Sequence, residues 1–374
     1  MRKLTKILSY SFAAVTLVTA SLATPAYAAG CSTSAPTTAA GWQKLVVDTP
    51  FNGRWYHGDA GRSVRLPDGR YLWVFGDTMS GKVTNGTQEW GNQFIHNRAV
   101  ITDKGCISQL IGPNRTDGHP TDWIPITKGN DLAGIDDYYW PSGMYMDGAY
   151  LRMFLNHVGG GADYSSHGVD VATFDVSRAT PRLVSISRTP AATAQDPAWG
   201  SAVINDGLYT YIYGGINKSE PWVWGHYHYL ARVPRGSVTT KSSWRYWNGT
   251  GWTTQQAQAV PVINGNQGVG AGTVMFPRAG GGYALIAKQY EYVGSELVAF
   301  TSNSVTGPWT AQSPAVLSPV PDVQANEVTY SAFAHPGIAL TSGKTLVSWA
   351  LSSTDSSQFG SPRPGLRFTE VVMP

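Results

Sequence analysis

Short runs of apolar and aromatic residues, broken by turns rich in Gly, Asp, Asn and Pro, fill the chain beyond residue 30. No stretch there keeps a helical period for more than a turn or two. Runs of this length and composition read as β-strands. One signature recurs five times: GRYLWVFGDT from Gly69, GAYLRMFLNH from Gly148, GLYTYIYGG from Gly207, GYALIAKQYE from Gly282 and GKTLVSWALS from Gly343. Each copy follows a hairpin dipeptide: Asp68-Gly69, Asp147-Gly148, Asp206-Gly207, Gly281-Gly282 or Ser342-Gly343. These dipeptides supply the positive φ that tight hairpins need. The copies start 59 to 79 residues apart, which is room for four strands and their loops.

The remaining strands fall around these markers. Inner strands are predicted over 61–66, 138–146, 198–204, 270–276 and 330–340. Third strands follow over 94–102, 169–176, 227–233, 296–301 and 366–372, and fourth strands over 107–111, 182–187, 243–247 and 309–316. The fifth unit lacks a fourth strand, and the run 42–49 is unassigned. The pattern therefore predicts an all-β chain, a five-bladed β-propeller over residues 30–374. Its last blade would be closed by an N-terminal strand, leaving no exposed sheet edge.

Residues 1–29 stand outside this pattern. Arg2, Lys3 and Lys6 precede an apolar run from Ile7 to Leu22 and an Ala26-Tyr27-Ala28 site, the layout of a secretory signal peptide. Its removal leaves Lys+Arg equal to Asp+Glu at 24. The mature chain is neutral, which argues against nucleic acid or an anionic membrane as partner; no membrane span and a monomer are expected. Cys31 and Cys106 are the two cysteines. In an oxidising compartment they read as a disulfide pinning the N-terminal segment to the first blade, with lipidation of Cys31 as the rival.

Candidate chemistry follows from the architecture. The start of each inner strand and the end of each second strand lie at one end of a blade, so polar residues there converge on one axial pocket. These are His57, Asp59, Asp77 and Thr78 in the first blade, and Asp137, Trp140, Asn156 and His157 in the second. Trp199 follows in the third, Gln289 and Glu291 in the fourth, and Glu327 and Tyr330 in the fifth. Structural readings compete: His157 as a satisfied core histidine, Trp140 and Trp199 as packing between blades, Glu291 and Glu327 as ion-pair partners.

Asp59 and Asp77 are the strongest pair. Their midpoint is residue 68, inside the turn Pro67-Asp68-Gly69, so they face each other across the hairpin. Opposed Cβ atoms lie roughly 4.5–5.5 Å apart. Two carboxylates so close repel, which raises one pKa and suits an acid beside a base or nucleophile in glycoside hydrolysis. A two-residue turn would instead pair Asp77 with Ala60, unless a bulge near Gly58 and Gly61 restores the register. The 14 Trp and 19 Tyr suit stacking on a neutral carbohydrate. No metal-spaced His/Cys cluster, phosphate loop or Gly-x-Ser-x-Gly elbow appears, so neither metal nor cofactor is expected.

Several segments carry a family resemblance. Thr301-Ser302-Asn303-Ser304 with Gly307-Pro308-Trp309 is similar to a segment of five-bladed furanosidase propellers. His57-Gly58-Asp59, Tyr71-Leu72-Trp73-Val74-Phe75-Gly76-Asp77-Thr78, Tyr139-Trp140-Pro141, Leu230-Ala231-Arg232-Val233-Pro234 and Ala334-His335-Pro336 resemble the endo-D-arabinanases of glycoside hydrolase family 183. The resemblance spans about 42–374. It implies cleavage of α-linked D-arabinofuranosyl chains, as in mycobacterial arabinogalactan and lipoarabinomannan, with an acidic pair at Asp59 and Asp77. Asp77 is expected as general acid and Asp59 as base or nucleophile. Asp137, Trp140, Asn156, His157, Trp199, Gln289, Glu291 and Glu327 are expected to bind substrate or tune the acid. A different furanosidase, on L-arabinan or a fructan, and a non-catalytic carbohydrate-binding propeller are the alternatives.

Overall fold

The computed structural model describes residues 31–373 apart from 52–53, 85–86, 114–119, 127–136, 160–165, 192, 194, 218–224, 293, 295, 313–316, 320–325 and 356–364. The signal-peptide reading of 1–29 lies outside them. Five antiparallel sheets follow one another along the chain. The first pairs Arg62–Arg65, Tyr71–Phe75, Arg98–Asp103 and Cys106–Leu110. The second pairs Tyr138–Asp147, Tyr150–Val158, Ser166–Asp175 and Arg182–Arg188. The third is built on Ala198–Asn205, Tyr209–Asn217 and His226–Pro234, and the fourth on Val269–Pro277, Tyr283–Gln289 and Glu296–Ser302. Both carry short outer strands. The fifth has three strands, Glu327–Ala334, Thr345–Ser353 and Gly365–Val371. A separate ribbon of Arg54–Gly58, Thr78–Thr84 and Thr87–Ile95 rises from the first sheet.

Apolar faces explain how the sheets stack. Leu72 and Val74 of the first sheet share a core with Leu151 and Leu155 of the second. Phe154 of the second meets Trp199 and Ile212 of the third, and Tyr213 of the third meets Leu285 and Phe300 of the fourth. Ile286 and Leu297 of the fourth pack with Val347 and Trp349 of the fifth. Leu346 and Leu366 of the fifth pack back onto Trp73 and Val100 of the first. Each strand alternates its side chains between its two faces, so every inner sheet face has a neighbour to bury against.

The N-terminal segment corrects one expectation. Ala39–Val46 is an α-helix, and no strand over 42–49 joins the last sheet. Trp42, Leu45 and Val46 stand at i, i+3 and i+4, a helical spacing that a plain apolar run hides. Ala39 and Ala40 favour the helix, and the Thr38 side chain caps it by accepting from Gly41 N at 3.1 Å. Buried Trp42 and Val46 join the core between the fifth and first sheets. The helix still covers the edge of Gly365–Val371: Gln43 Nε2 donates to Leu366 O (3.2 Å) and Ala39 N to Glu370 Oε1 (2.9 Å). A helix thus does the edge-covering work assigned to a strand. The Cys31–Cys106 disulfide is formed and ties the segment preceding the helix to the first sheet. Among the described residues no helix is long and apolar enough to cross a membrane.

Candidate active site

The first hairpin sets the site. Its turn has three residues, Pro67, Asp68 and Gly69: Leu66 N donates to Arg70 O (2.8 Å) and Gly69 N to Leu66 O (3.0 Å). Gly69 takes φ +90°, a conformation a side chain would resist. A three-residue turn puts Arg62 opposite Val74, and Gly58 opposite Thr78 in the ribbon, which brings Asp59 level with Asp77. Asp59 N donates to Asp77 O (3.0 Å), and Gly76 N donates to Asp59 O (3.0 Å). Direct opposition therefore comes from turn length. Between the two strand segments Ala60 adopts φ +49°, where the chain leaves the sheet for the ribbon. A Cβ on Gly76 would stand 2.5 Å from Asp59 Oδ1, so the glycine makes room for the carboxyl group.

Both carboxyls open onto a cavity of about 430 Å³. Tyr330 donates its hydroxyl to Asp59 Oδ2 (2.9 Å), and Trp140 donates its indole N–H to Asp77 Oδ1 (2.6 Å). Burial, and then the charge of Asp77, push Asp59 up to about 7, against the opposing pull of the Tyr330 hydrogen bond. Burial pushes Asp77 up to about 6, while the Trp140 bond and nearby His96 hold it down and Asp122 raises it. Near neutrality the pair thus holds about one proton, the condition for one group to act as acid and the other as base.

The other lining groups are mostly neutral. Asn156, Ser142, Ser201, Ser331 and Ser352 offer hydrogen bonds, Tyr292 offers a half-exposed ring, and burial drops His226 to about 4, so it is uncharged at pH 7. Arg62 forms part of the cavity wall. Its Nη1 donates to Ser201 O (2.9 Å) and Thr273 O (3.3 Å), its guanidinium lies 3.9 Å over the Phe333 ring, and Glu291 lends it favourable charge.

Of the sequence candidates, Asp59, Asp77, Trp140, Asn156 and Tyr330 line this cavity. The remaining candidates do not. Asp137 and His157 are buried behind the wall, hydrogen-bonded to each other at 2.9 Å. Their strand alternation sends His157 to the face opposite Asn156. Trp199 is fully buried between the second and third sheets, its indole N–H bonded to Gln256 Oε1 at 3.1 Å. Gln289 donates to Gln267 O at 3.4 Å, outside the cavity. Glu291 is buried and accepts from Gly272 N and Ser331 N, each at 3.2 Å, which bridges the inner strands of the fourth and fifth sheets. Glu327 opens the inner strand of the fifth sheet, opposite Ser353 and off the wall. Sequence reasoning missed Arg62, His226 and Tyr292. Arg62 carried a usable signal, a cation at the axis-facing start of an inner strand.

In fold the chain is similar to a candidate hydrolase from Bacteroides ovatus ATCC 8483, with a TM-score of 0.66 and 20% identity over 84% of this chain and 85% of that one. It is also similar to the GH43 protein BlXynB from Bacillus licheniformis, with a TM-score of 0.51 and 12% identity over 85% of this chain. Only 53% of BlXynB is covered, so the chain spans about half that protein's length. No curated protein sequence matches the chain. The model of one family, described as Domain of unknown function (DUF5005), matches residues 49–365, and the chain belongs to that family.

Proposed function

We propose that the chain is a secreted glycoside hydrolase that cuts within α-linked D-arabinofuranosyl chains, and that its five sheets are the blades of a five-bladed propeller. The observation that carries the reaction class is the carboxyl pair: Asp59 and Asp77, both raised, meet across one hairpin at a cavity whose walls are, Arg62 apart, neutral and hydrogen-bonding. The fold shared with a GH43 protein supports a glycosidase. The resemblance of His57-Gly58-Asp59 and Phe75-Gly76-Asp77-Thr78 to endo-D-arabinanases supports the substrate.

Aromatic rings in contact with one another flank the pair on both sides. Beside Asp77, Trp140 meets Tyr138 (5.4 Å), Tyr138 stacks on His96 (3.7 Å, 12°), and His96 meets the exposed ring of Phe94 (5.1 Å). Beside Asp59, Tyr330 meets Tyr292 at 5.1 Å. Rings flanking the carboxyls on both sides suit a chain that continues past the cut bond, hence internal cleavage. Direct opposition of the pair favours a carboxyl separation of about 5–5.5 Å and a retaining course.

The roles within the pair have two readings. Depth on the axis makes Asp59 the base or nucleophile and Asp77 the acid. The stronger burial of Asp59 favours the reverse, because it holds the shared proton more tightly. Asp59→Asn and Asp77→Asn are each expected to lower kcat on D-arabinan by roughly 10²–10⁴-fold or more. With a nitrophenyl furanoside, whose leaving group needs no proton, only the variant lacking the acid keeps its rate. Digestion of D-arabinan, L-arabinan and levan, with product sizing, tests the substrate. Activity on none of the three, or wild-type rates in both Asn variants, removes the proposal.

A further inference from the structure

We propose that Asp137, His157 and His167 form a binding site for a Zn²⁺-class divalent cation, placed behind the pocket wall and independent of the carboxyl pair. One oxygen, Asp137 Oδ2, faces His157 Nε2 at 2.9 Å and His167 Nδ1 at 3.1 Å. The three potential ligand atoms all lie within 4.8 Å of one another. Ligands about 2.0–2.2 Å from a tetrahedral Zn²⁺ stand roughly 3.3 Å apart, so each Asp137–histidine pair needs to open by only a few tenths of an ångström. Two imidazole nitrogens and one carboxylate oxygen suit Zn²⁺, whereas Ca²⁺ and Mg²⁺ take oxygen sets.

The surroundings match what a metal-bound histidine needs. With the ion on Nε2, the His157 proton sits on Nδ1, and the carboxylate nearest to it is Asp170 Oδ2, 3.6 Å away, which a small shift would bring into hydrogen-bond reach. Asp170 is itself held by the Tyr139 hydroxyl (2.9 Å) and by Arg188 Nε (3.0 Å). Such a carboxylate behind the ring orients the imidazole and strengthens its bond to the metal. Arg188 also contacts His157 Nδ1 through Nη2 (3.0 Å); metal binding replaces that one contact, and Arg188 keeps Asp170 and His167 O (2.6 Å).

The site would clamp one blade from behind. Asp137 precedes the inner strand of the second sheet, His157 lies in its second strand and His167 in its third. Trp140, which donates to Asp77, pairs with Asn156, one residue from His157. The ion would therefore fix the strand ends that present Trp140 and Asn156 to the cavity. It takes no part in bond cleavage.

Calorimetric titration of EDTA-stripped, dialysed protein with ZnCl₂ alone tests this. The expected result is one ion per chain, a higher melting temperature with Zn²⁺ than with EDTA, and no comparable rise with Ca²⁺. His167→Gln, at a half-exposed position, is expected to abolish saturable binding; Asp170→Asn, with its fold checked by circular dichroism, is expected to weaken it roughly 10–100-fold. No binding up to millimolar Zn²⁺, or undiminished binding by His167→Gln, would show a hydrogen-bonded His–Asp–His group only and overturn the assignment. None of these readouts depends on glycosidase activity, so their failure leaves the proposed reaction standing, and the reverse.

Discussion

At the scale of single residues, the carboxyl pair is governed by the donors that reach it. Tyr330 and Trp140 each donate to one carboxylate, and each bond favours the ionised form of its partner. The pair should carry one proton between steps near pH 6 and pH 7, giving a bell-shaped dependence of kcat/KM with its maximum in that interval. Trp140→Phe keeps a ring in place but removes the N–H. Asp77 then loses a stabilising bond to its ionised form, its pKa rises, and the acid limb of the profile moves to higher pH. A pH–rate series on the variant checks the sign; an unmoved acid limb would mean the indole is merely packed there.

At the scale of elements, two short segments decide more than their length suggests. The three-residue turn at Pro67–Gly69 sets the register that opposes Asp59 to Asp77. One residue fewer would turn one carboxyl to the far face of the sheet. The N-terminal helix covers the last sheet's edge, with Trp42 1% exposed in the core between the fifth and first sheets. Trp42→Ala is expected to cost about 3–5 kcal/mol, since a large buried ring leaves a cavity that its neighbours fill only partly. Chemical denaturation measures it. A cost near zero would mean the helix is an appendage to a ring that closes without it.

At the scale of the whole molecule, Arg62 ties the first sheet to three others from the wall of the cavity. From the first sheet it bonds carbonyls of the third and fourth and lies over a ring of the fifth, with Glu291 balancing its charge. Glu291 in turn ties backbone N–H groups of the fourth and fifth sheets. Arg62→Met keeps much of the volume but leaves those buried carbonyls without their donor, and Lys288 as the cation beside the buried Glu291 carboxyl. Leaving a buried acceptor without its donor typically costs about 1–3 kcal/mol, so a clear fall in melting temperature is expected. An unchanged melting temperature would show that the packed cores between sheets hold the ring unaided.

Much of this was legible in the chain. The five Gly-started markers, their hairpin dipeptides and the strands around them needed only local information, because alternation and turn chemistry act over a few residues. The opposition of Asp59 and Asp77 was legible for the same reason: it depends on one hairpin. What lay beyond the sequence depends on distant segments. Whether 42–49 became strand or helix turned on the uncovered edge of Gly365–Val371, more than 300 residues away. Trp199 and Trp140 are alike as sequence, both early in inner strands. Trp199 disappears between two sheets, while Trp140 faces Asp77 across a sheet boundary. The grouping of Asp137, His157 and His167 has no motif spacing, since three separate strand ends must be stacked before their side chains meet. Local patterning determined the elements and the hairpin pair; the packing of sheet on sheet decided which polar side chains share a cavity and which share a core.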